Sequence, residues 1–282
     1  MSNQLLKGKR GIIFGALNES SLAWDAAKEV KKEGGSFVLS NTALAIRFGK
    51  VNQLSEECNS KVIAADVTSI DDLSNLLNQA MEILGGKLDF ILHSVGMSRN
   101  VVKKREYYDL DYNDFIEALD ISALSLHKLL QSAMKLDALN EYASVVTLSY
   151  IGAQRVFFTY SDMSQAKAML ESIVRSFGYH YGSQKKVRIN SVSQSPTRTT
   201  AGKGIRGFDS FYHFADKMSP LGNASSNDCA KFIITLFSDY TRMVTMQTIY
   251  HDGGFSSTGI SKEVLSNYRP GCTCFVHDQG EE

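Results

Sequence analysis

At 282 residues, 43% of them hydrophobic, the chain is long enough to bury a full core without disulfide or metal staples. Its 30 Lys and Arg balance 30 Asp and Glu, so no net charge draws it toward nucleic acid or an anionic membrane. Its four cysteines show no framework spacing, no uncharged apolar run reaches the roughly 18 residues of a spanning helix, and MSNQLLKGKR lacks a signal-peptide core, so a cytoplasmic protein is expected.

The first strand is expected over Arg10–Phe14, followed by the turn Gly15-Ala-Leu-Asn-Glu-Ser-Ser21. Leu22, Ala23, Ala26, Ala27 and Val30 then recur at helical spacing opposite Lys28, Lys31 and Lys32, and Gly34-Gly35 ends the helix. Gly15 can turn sharply beneath a pyrophosphate, and Ser20 or Ser21 can cap the helix. The helix's amino end can offer free N–H groups to phosphates. Because two fingerprint glycines are missing, the turn alone reads equally as an ordinary strand-to-helix connection.

The second strand, Phe37–Ser40, ends at Ser40-Asn41-Thr42, with no acid for ribose hydroxyls and Arg47 only later. That leaves NADH and NADPH open, with NADH the expectation. The third, Lys61–Ala65, delivers Asp66-Val67, where a carboxylate can meet an adenine amino group. The fourth, Leu88–His93, delivers Ser94-Val-Gly96, where bare backbone allows a dinucleotide to lie close.

After the fifth strand, Ser144–Ser149, come Tyr150, Tyr160 and Lys167. Tyr160 is expected at the start of a helix, with Lys167 nearly two turns on, about 10.5 Å of rise, leaning back toward the phenol. A cation there favours negative charge on the phenol and can hold ribose hydroxyls. Many Tyr–Lys pairs at such spacing are surface pairs; the position just past a central strand is what singles this one out. Tyr181 and Lys185 repeat a Tyr–Lys pair at the far end of the same helix, away from the strand ends, and are read as coincidence.

With further strands at Val187–Val192 and Gln247–Tyr250, seven strands alternate with helices. This predicts an α/β fold, a doubly wound, mostly parallel seven-stranded sheet with helices on both faces and its ligand at the strands' carboxyl ends. Residues 1–259 are expected to form one dinucleotide-binding catalytic domain, with an excursion at 196–220 and a peripheral tail at 260–282. In the excursion, Ile205, Phe208, Phe211, Tyr212, Phe214 and Met218 read either as a mobile lid or as a small helix packed on the core. Cys272, Cys274 and His277 form no known closed metal site, so no metal is expected.

At these residues the chain resembles the short-chain dehydrogenase/reductase superfamily and, within it, the bacterial enoyl-acyl-carrier-protein reductases. The resemblance runs from about residue 6 to residue 256. It rests on Gly15-x5-Ser21-Leu-Ala, Asp66-Val67, His93-Ser-Val-Gly96, Leu148-Ser-Tyr-Ile-Gly152, Tyr160-x6-Lys167, Val187-Arg-Ile-Asn190 and His251-Asp-Gly-Gly-Phe255. The tyrosines ten apart with lysine seven beyond are the most specific feature. Carbonyl reductases of the superfamily instead carry a serine near Ser149–Tyr150 and a shorter Tyr–Lys spacing.

The resemblance implies a Rossmann fold and an NADH-dependent oxidoreductase of fatty acid biosynthesis, a cytoplasmic homotetramer acting on an enoyl thioester of acyl-carrier protein. Catalysis then falls to Tyr150, Tyr160 and Lys167. Gly15, Ser21, Leu22, Asp66, Val67, Ser94, Gly96, Lys167 and Thr197 match cofactor positions. Met97, Tyr150, Tyr160, Met163 and Phe208 are expected on the substrate side. Lys203 and Arg206 are candidates to meet the carrier protein.

The chain departs from that pattern at Gln194-Ser195-Pro196-Thr197, where relatives carry Ala-Gly-Pro-Ile. It departs again at Tyr160-Ser-Asp-Met-Ser164, where Asp162 is expected to face solvent. Two rival functions stand beside the reductase: a carbonyl oxidoreductase of the same fold, and a non-catalytic dinucleotide-binding sensor.

Overall fold

The computed structural model describes residues 2–267. Seven strands, β1 (Arg10–Phe14), β2 (Ser36–Asn41), β3 (Lys61–Ala64), β4 (Leu88–His93), β5 (Leu139–Ser149), β6 (Arg188–Gln194) and β7 (Thr248–His251), form one sheet in the order 3-2-1-4-5-6-7. Every pairing is parallel, so the mostly parallel sheet expected from the sequence is wholly parallel. The order reverses between β1 and β4, which opens a crevice above their carboxyl ends.

The helices are α1 (Leu22–Lys32), α2 (Ala43–Phe48), α3 (Val51–Cys58), α4 (Ile70–Leu84), α5 (Arg99–Val102) and α6 (Tyr112–Leu119). There follow α7 (Ser125–Lys135), α8 (Met163–Lys185), α9 (Thr200–Lys203), α10 (Phe208–Met218), α11 (Ser226–Phe237) and α12 (Lys262–Asn267). Successive strand residues face opposite sides. Ile12 and Phe14 therefore enter the core beneath α4, α7 and α8, while Ile13 enters the one beneath α1, α3 and α11. Burial on both faces accounts for the apolar runs Ile12–Phe14 in β1 and Phe90–Leu92 in β4.

A one-turn π-helix, Asp120–Leu124, joins α6 to α7. Its buried Ser122 hydroxyl donates to the Met97 carbonyl and accepts from the Met97 N–H. In the segment read as a peripheral tail, α12 buries Val264, and Glu263 pairs with Lys217 of α10. Cys272, Cys274 and His277 lie outside the described residues.

Candidate active site

A cavity of about 1240 Å³ runs along the carboxyl ends of the strands from Asp66 to Phe214. At its phosphate-binding end Gly15 holds φ +85°, and a β-carbon there would lie 1.8 Å from the Ser94 carbonyl oxygen, so no other residue fits. Ser21 sits at the N-cap of α1 but makes no side-chain cap bond. Its hydroxyl instead accepts from the Leu17 and Asn18 N–H groups, folding the turn and leaving the amino end of α1 unblocked by a side chain. Ser20 does not cap either; its hydroxyl donates to Asn18.

Asn41 donates to the Ala16 carbonyl at 3.0 Å, tying the end of β2 to the same turn, and Thr42 caps α2. Asp66 accepts from Thr68 N–H and hydroxyl at 2.8 and 2.7 Å. Val67, Ser94 and Gly96 complete the wall. A β-carbon added at Gly96 would stand 3.5 Å from Met163 and 3.6 Å from the Lys167 Nζ. Bare backbone at positions 15 and 96, a helix end between them, and Asp66 and Thr197 toward opposite ends fit the succession of adenosine, pyrophosphate and nicotinamide ribose in a dinucleotide.

At the chemical end, extended Tyr150 follows β5 and its ring meets that of Tyr160 edge to face. Gly152 makes this approach possible, since a β-carbon there would come within 2.7 Å of the Tyr160 ring. Tyr160 is not in a helix, contrary to the sequence reading. Ser161 takes φ 52°, a left-handed turn, and α8 begins only at Met163. The Tyr160–Lys167 relationship is therefore set by that turn and not by two helical turns of rise. Lys167 is buried and donates to the Leu148 carbonyl at 2.8 Å.

Burial controls the protonation of the whole group. It pushes the Tyr160 phenol up, and it pushes Tyr150 up together with the neighbouring Tyr160 and Asp252. It lowers Lys167 to about 8, an effect opposed by the charge of Glu171. Beneath Ser94, His93 bridges the Thr147 and Ser125 hydroxyls at 3.0 and 2.9 Å. Burial and the Lys167 charge push it down to about 3, so it is neutral.

Asp162, expected at the surface, is fully buried. It accepts from Ser98 Oγ at 2.5 Å and Asn100 Nδ2 at 2.7 Å, pinning the turn that carries Tyr160 to α5. Nothing in the local sequence marks this bond, because its donors lie 62 and 64 residues away. Gln194 and Ser195 are equally occupied: Gln194 Oε1 bonds His251 Nδ1 at 2.7 Å, and Ser195 Oγ accepts from the Ala224 N–H at 3.0 Å. Thr197 donates to the Ser195 carbonyl at 3.0 Å.

Met97, Met163 and Phe208 line the cavity with the two tyrosines. Phe211 of α10 packs on Phe157 and Tyr150, with centroids 5.0 and 6.4 Å away, so the excursion lies over the chemical end. Arg206 lines the cavity and pairs with Glu106 at 2.7 Å. At the far end of α8, Tyr181 is buried in the core, remote from the cavity residues. Sequence reasoning gave no role to Ser122, Ser98, Asn100 or Glu171; only Glu171, one turn beyond Lys167, left a local signal. Among the described residues, no cluster of three or more His, Cys, Asp or Glu could hold a metal ion, and no helix is long and apolar enough to cross a membrane.

The family described as Enoyl-(Acyl carrier protein) reductase matches residues 15–256. The chain is 35% identical over 267 residues to the enoyl-acyl-carrier-protein reductase (NADH) FabI of Rickettsia bellii (strain RML369-C), covering 94% of this chain and 100% of that protein. It superposes on a crystal structure of a FabI–NADH complex from Alistipes finegoldii with a TM-score of 0.93 and 58% identity, over 95% of each chain. It also superposes on the enoyl-acyl-carrier-protein reductase (NADH) of Aquifex aeolicus VF5 with a TM-score of 0.84 and 32% identity, over 91% of this chain and 99% of that one. A sheet of this order, a glycine turn beneath a helix end, and paired tyrosines beside a buried lysine accompany a match that spans nearly the whole sequence: the chain belongs to the enoyl-acyl-carrier-protein reductase family.

Proposed function

We propose that this protein reduces the trans-2 double bond of enoyl-acyl-carrier-protein thioesters with NADH, a step of fatty acid synthesis. The observation that carries the reading is the pair of neutral phenols, Tyr150 and Tyr160, lining the same end of one cavity as the buried Lys167. Bound NADH supplies the hydride that reaches the β-carbon of the substrate. Negative charge then grows on the thioester oxygen, and Tyr160, kept protonated by burial, donates a hydrogen bond to it. Lys167 holds the nicotinamide ribose and supports proton delivery. Tyr150 orients the thioester from the end of β5.

Gly15, Ser21, Leu22, Asp66, Val67, Ser94, Gly96 and Thr197 serve the dinucleotide, and Met97, Met163 and Phe208 the acyl chain. Residues 1–259 act as one catalytic unit, and α9 and α10 close over the acyl chain as a lid. Arg206, with Lys203, meets the acidic carrier protein after exchanging its Glu106 partner. Tyr108, Tyr112 and Ile116, exposed around the start of α6, suit burial in a homotetramer of a cytoplasmic enzyme. Against the carbonyl-reductase reading, Ser149 donates its hydroxyl to Glu171 at 2.6 Å and is not free to bind a substrate carbonyl.

The test is absorbance loss of NADH on mixing with crotonyl-CoA, repeated with Lys167→Ala. Oxidation by ketones and not by the enoyl thioester would move the protein to the carbonyl reductases. Binding of NADH without turnover of either would make it a sensor.

A further inference from the structure

Glu171 lies one helical turn beyond Lys167 and is only 4% exposed. A carboxylate in such a place must be paid for by hydrogen bonds or a nearby cation. Here it accepts from Ser149 Oγ at 2.6 Å and from Gln154 Nε2 at 3.1 Å. Gln154 in turn accepts from the Tyr250 hydroxyl at 2.5 Å. The chain of bonds runs from β7 through the segment after β5 into α8, and its charged member sits on the helix that carries Lys167. Residues four apart lie on the same face of a helix, with β-carbons about 5–6 Å apart, and opposite charges attract more strongly where water is excluded than at the surface.

We propose that Glu171 is a positioning residue for the reaction: held by Ser149 and Gln154, its buried carboxylate keeps the Lys167 ammonium charged where it meets the nicotinamide ribose. This rests on the reductase reading above. The ionisable groups at this end of the cavity are His93 from β4, Tyr150 from the end of β5, Tyr160 from the turn before α8, Asp162 from that same turn but bonded to Ser98 and Asn100, and Glu171 on α8 itself. Asp252, after β7, acts on Tyr150. His93 is neutral and both phenols are held neutral by burial, so Glu171 is the negative charge that opposes the desolvation of Lys167. The same bond removes the Ser149 hydroxyl from the cavity chemistry, which gives one feature two consequences: a retained lysine charge and a serine withdrawn from substrate.

The test uses Glu171→Gln, which keeps the shape. The Gln154 amide can turn over and the Tyr250 hydroxyl can rotate, so both hydrogen bonds can be re-formed without the charge. NADH affinity is measured by fluorescence from pH 6 to pH 10, alongside thermal stability. The expected result is an unchanged dissociation constant at pH 6 and one about fivefold weaker than wild type at pH 8, as the lysine loses its proton roughly one pH unit earlier. Glu171→Asp, which keeps the charge, should follow the wild-type profile. Coincident profiles for wild type and Glu171→Gln would overturn the proposal.

NMR titration of the Lys167 amino group in cofactor-free wild-type protein gives a second measurement that needs no variant: a lysine already uncharged at pH 7 overturns the proposal, and one charged there supports it. That titration requires neither cofactor nor substrate. Failure of the chain to bind NADH or reduce crotonyl-CoA would therefore count against the function and leave the role of Glu171 separately decided.

Discussion

The rings of Tyr150 and Tyr160 meet edge to face, with centroids 5.0 Å apart at 63°. Each narrows the space in which the other can move, and both rings line the same cavity. Replacing Tyr160 with Phe keeps that packing and removes one hydrogen-bond donor. Turnover of crotonyl-CoA should fall on the order of 10²-fold while NADH affinity and melting temperature stay near wild type; steady-state kinetics with a binding titration check this. An equal loss of NADH affinity would place the phenol on the cofactor and not on the substrate.

The lowered Lys167 gives two opposite pH trends. Its ammonium is charged below about 8 and neutral above, so NADH affinity should weaken as pH rises through that value. In the unfolded chain the same group keeps its proton to 10.5. Between about 8 and 10.5 the unfolded state therefore binds more protons, and this group's contribution to folding stability rises with pH. Lys167→Met should remove both trends; fluorescence titration and melting temperature, each at pH 7 and pH 9, measure them.

Asp162 is charged with holding the Tyr160 turn. Truncation to Ala leaves the Ser98 hydroxyl and the Asn100 amide facing an empty, buried site, at a cost of roughly 3 kcal/mol. A lower melting temperature and a lower kcat should appear together. Asp162→Asn, which keeps the shape and one acceptor, should lose less of each. Full activity in Asp162→Ala would show that the turn is held by other contacts.

Tyr181 is the converse case. Its hydroxyl is buried with no hydrogen-bond partner, and burial pushes the phenol up. Removing the hydroxyl in Tyr181→Phe relieves an unpaired polar group, so melting temperature should hold or rise and turnover should not change. Lost turnover would restore the second Tyr–Lys pair as a candidate.

How much of this is legible in the sequence follows from the range of each interaction. Strands such as β1 and β4 are legible because each carries a short apolar run, Ile12–Phe14 and Phe90–Leu92, set between turn residues and a helical pattern. Boundaries slipped where packing extended a strand: β5 begins at Leu139 and not at Ser144, because Leu139 pairs with Leu88. The cofactor end was legible because Gly15, Asp66 and Gly96 each follow directly on a strand, and a parallel sheet brings all strand ends to one edge.

What the sequence determined by itself was the alternation of strands and helices, the edge of the sheet where a ligand lies, and the residue types gathered there. The tertiary structure alone decided that Tyr160 stands on a left-handed turn at Ser161, that Asp162 is buried against α5, and that Ser149 is turned to Glu171. The physical reason is distance along the chain. Periodicity reports a residue's own helix or strand. The bonds that aim these side chains join residues 22 to 64 positions apart, and their energy exists only once the sheet has brought them together.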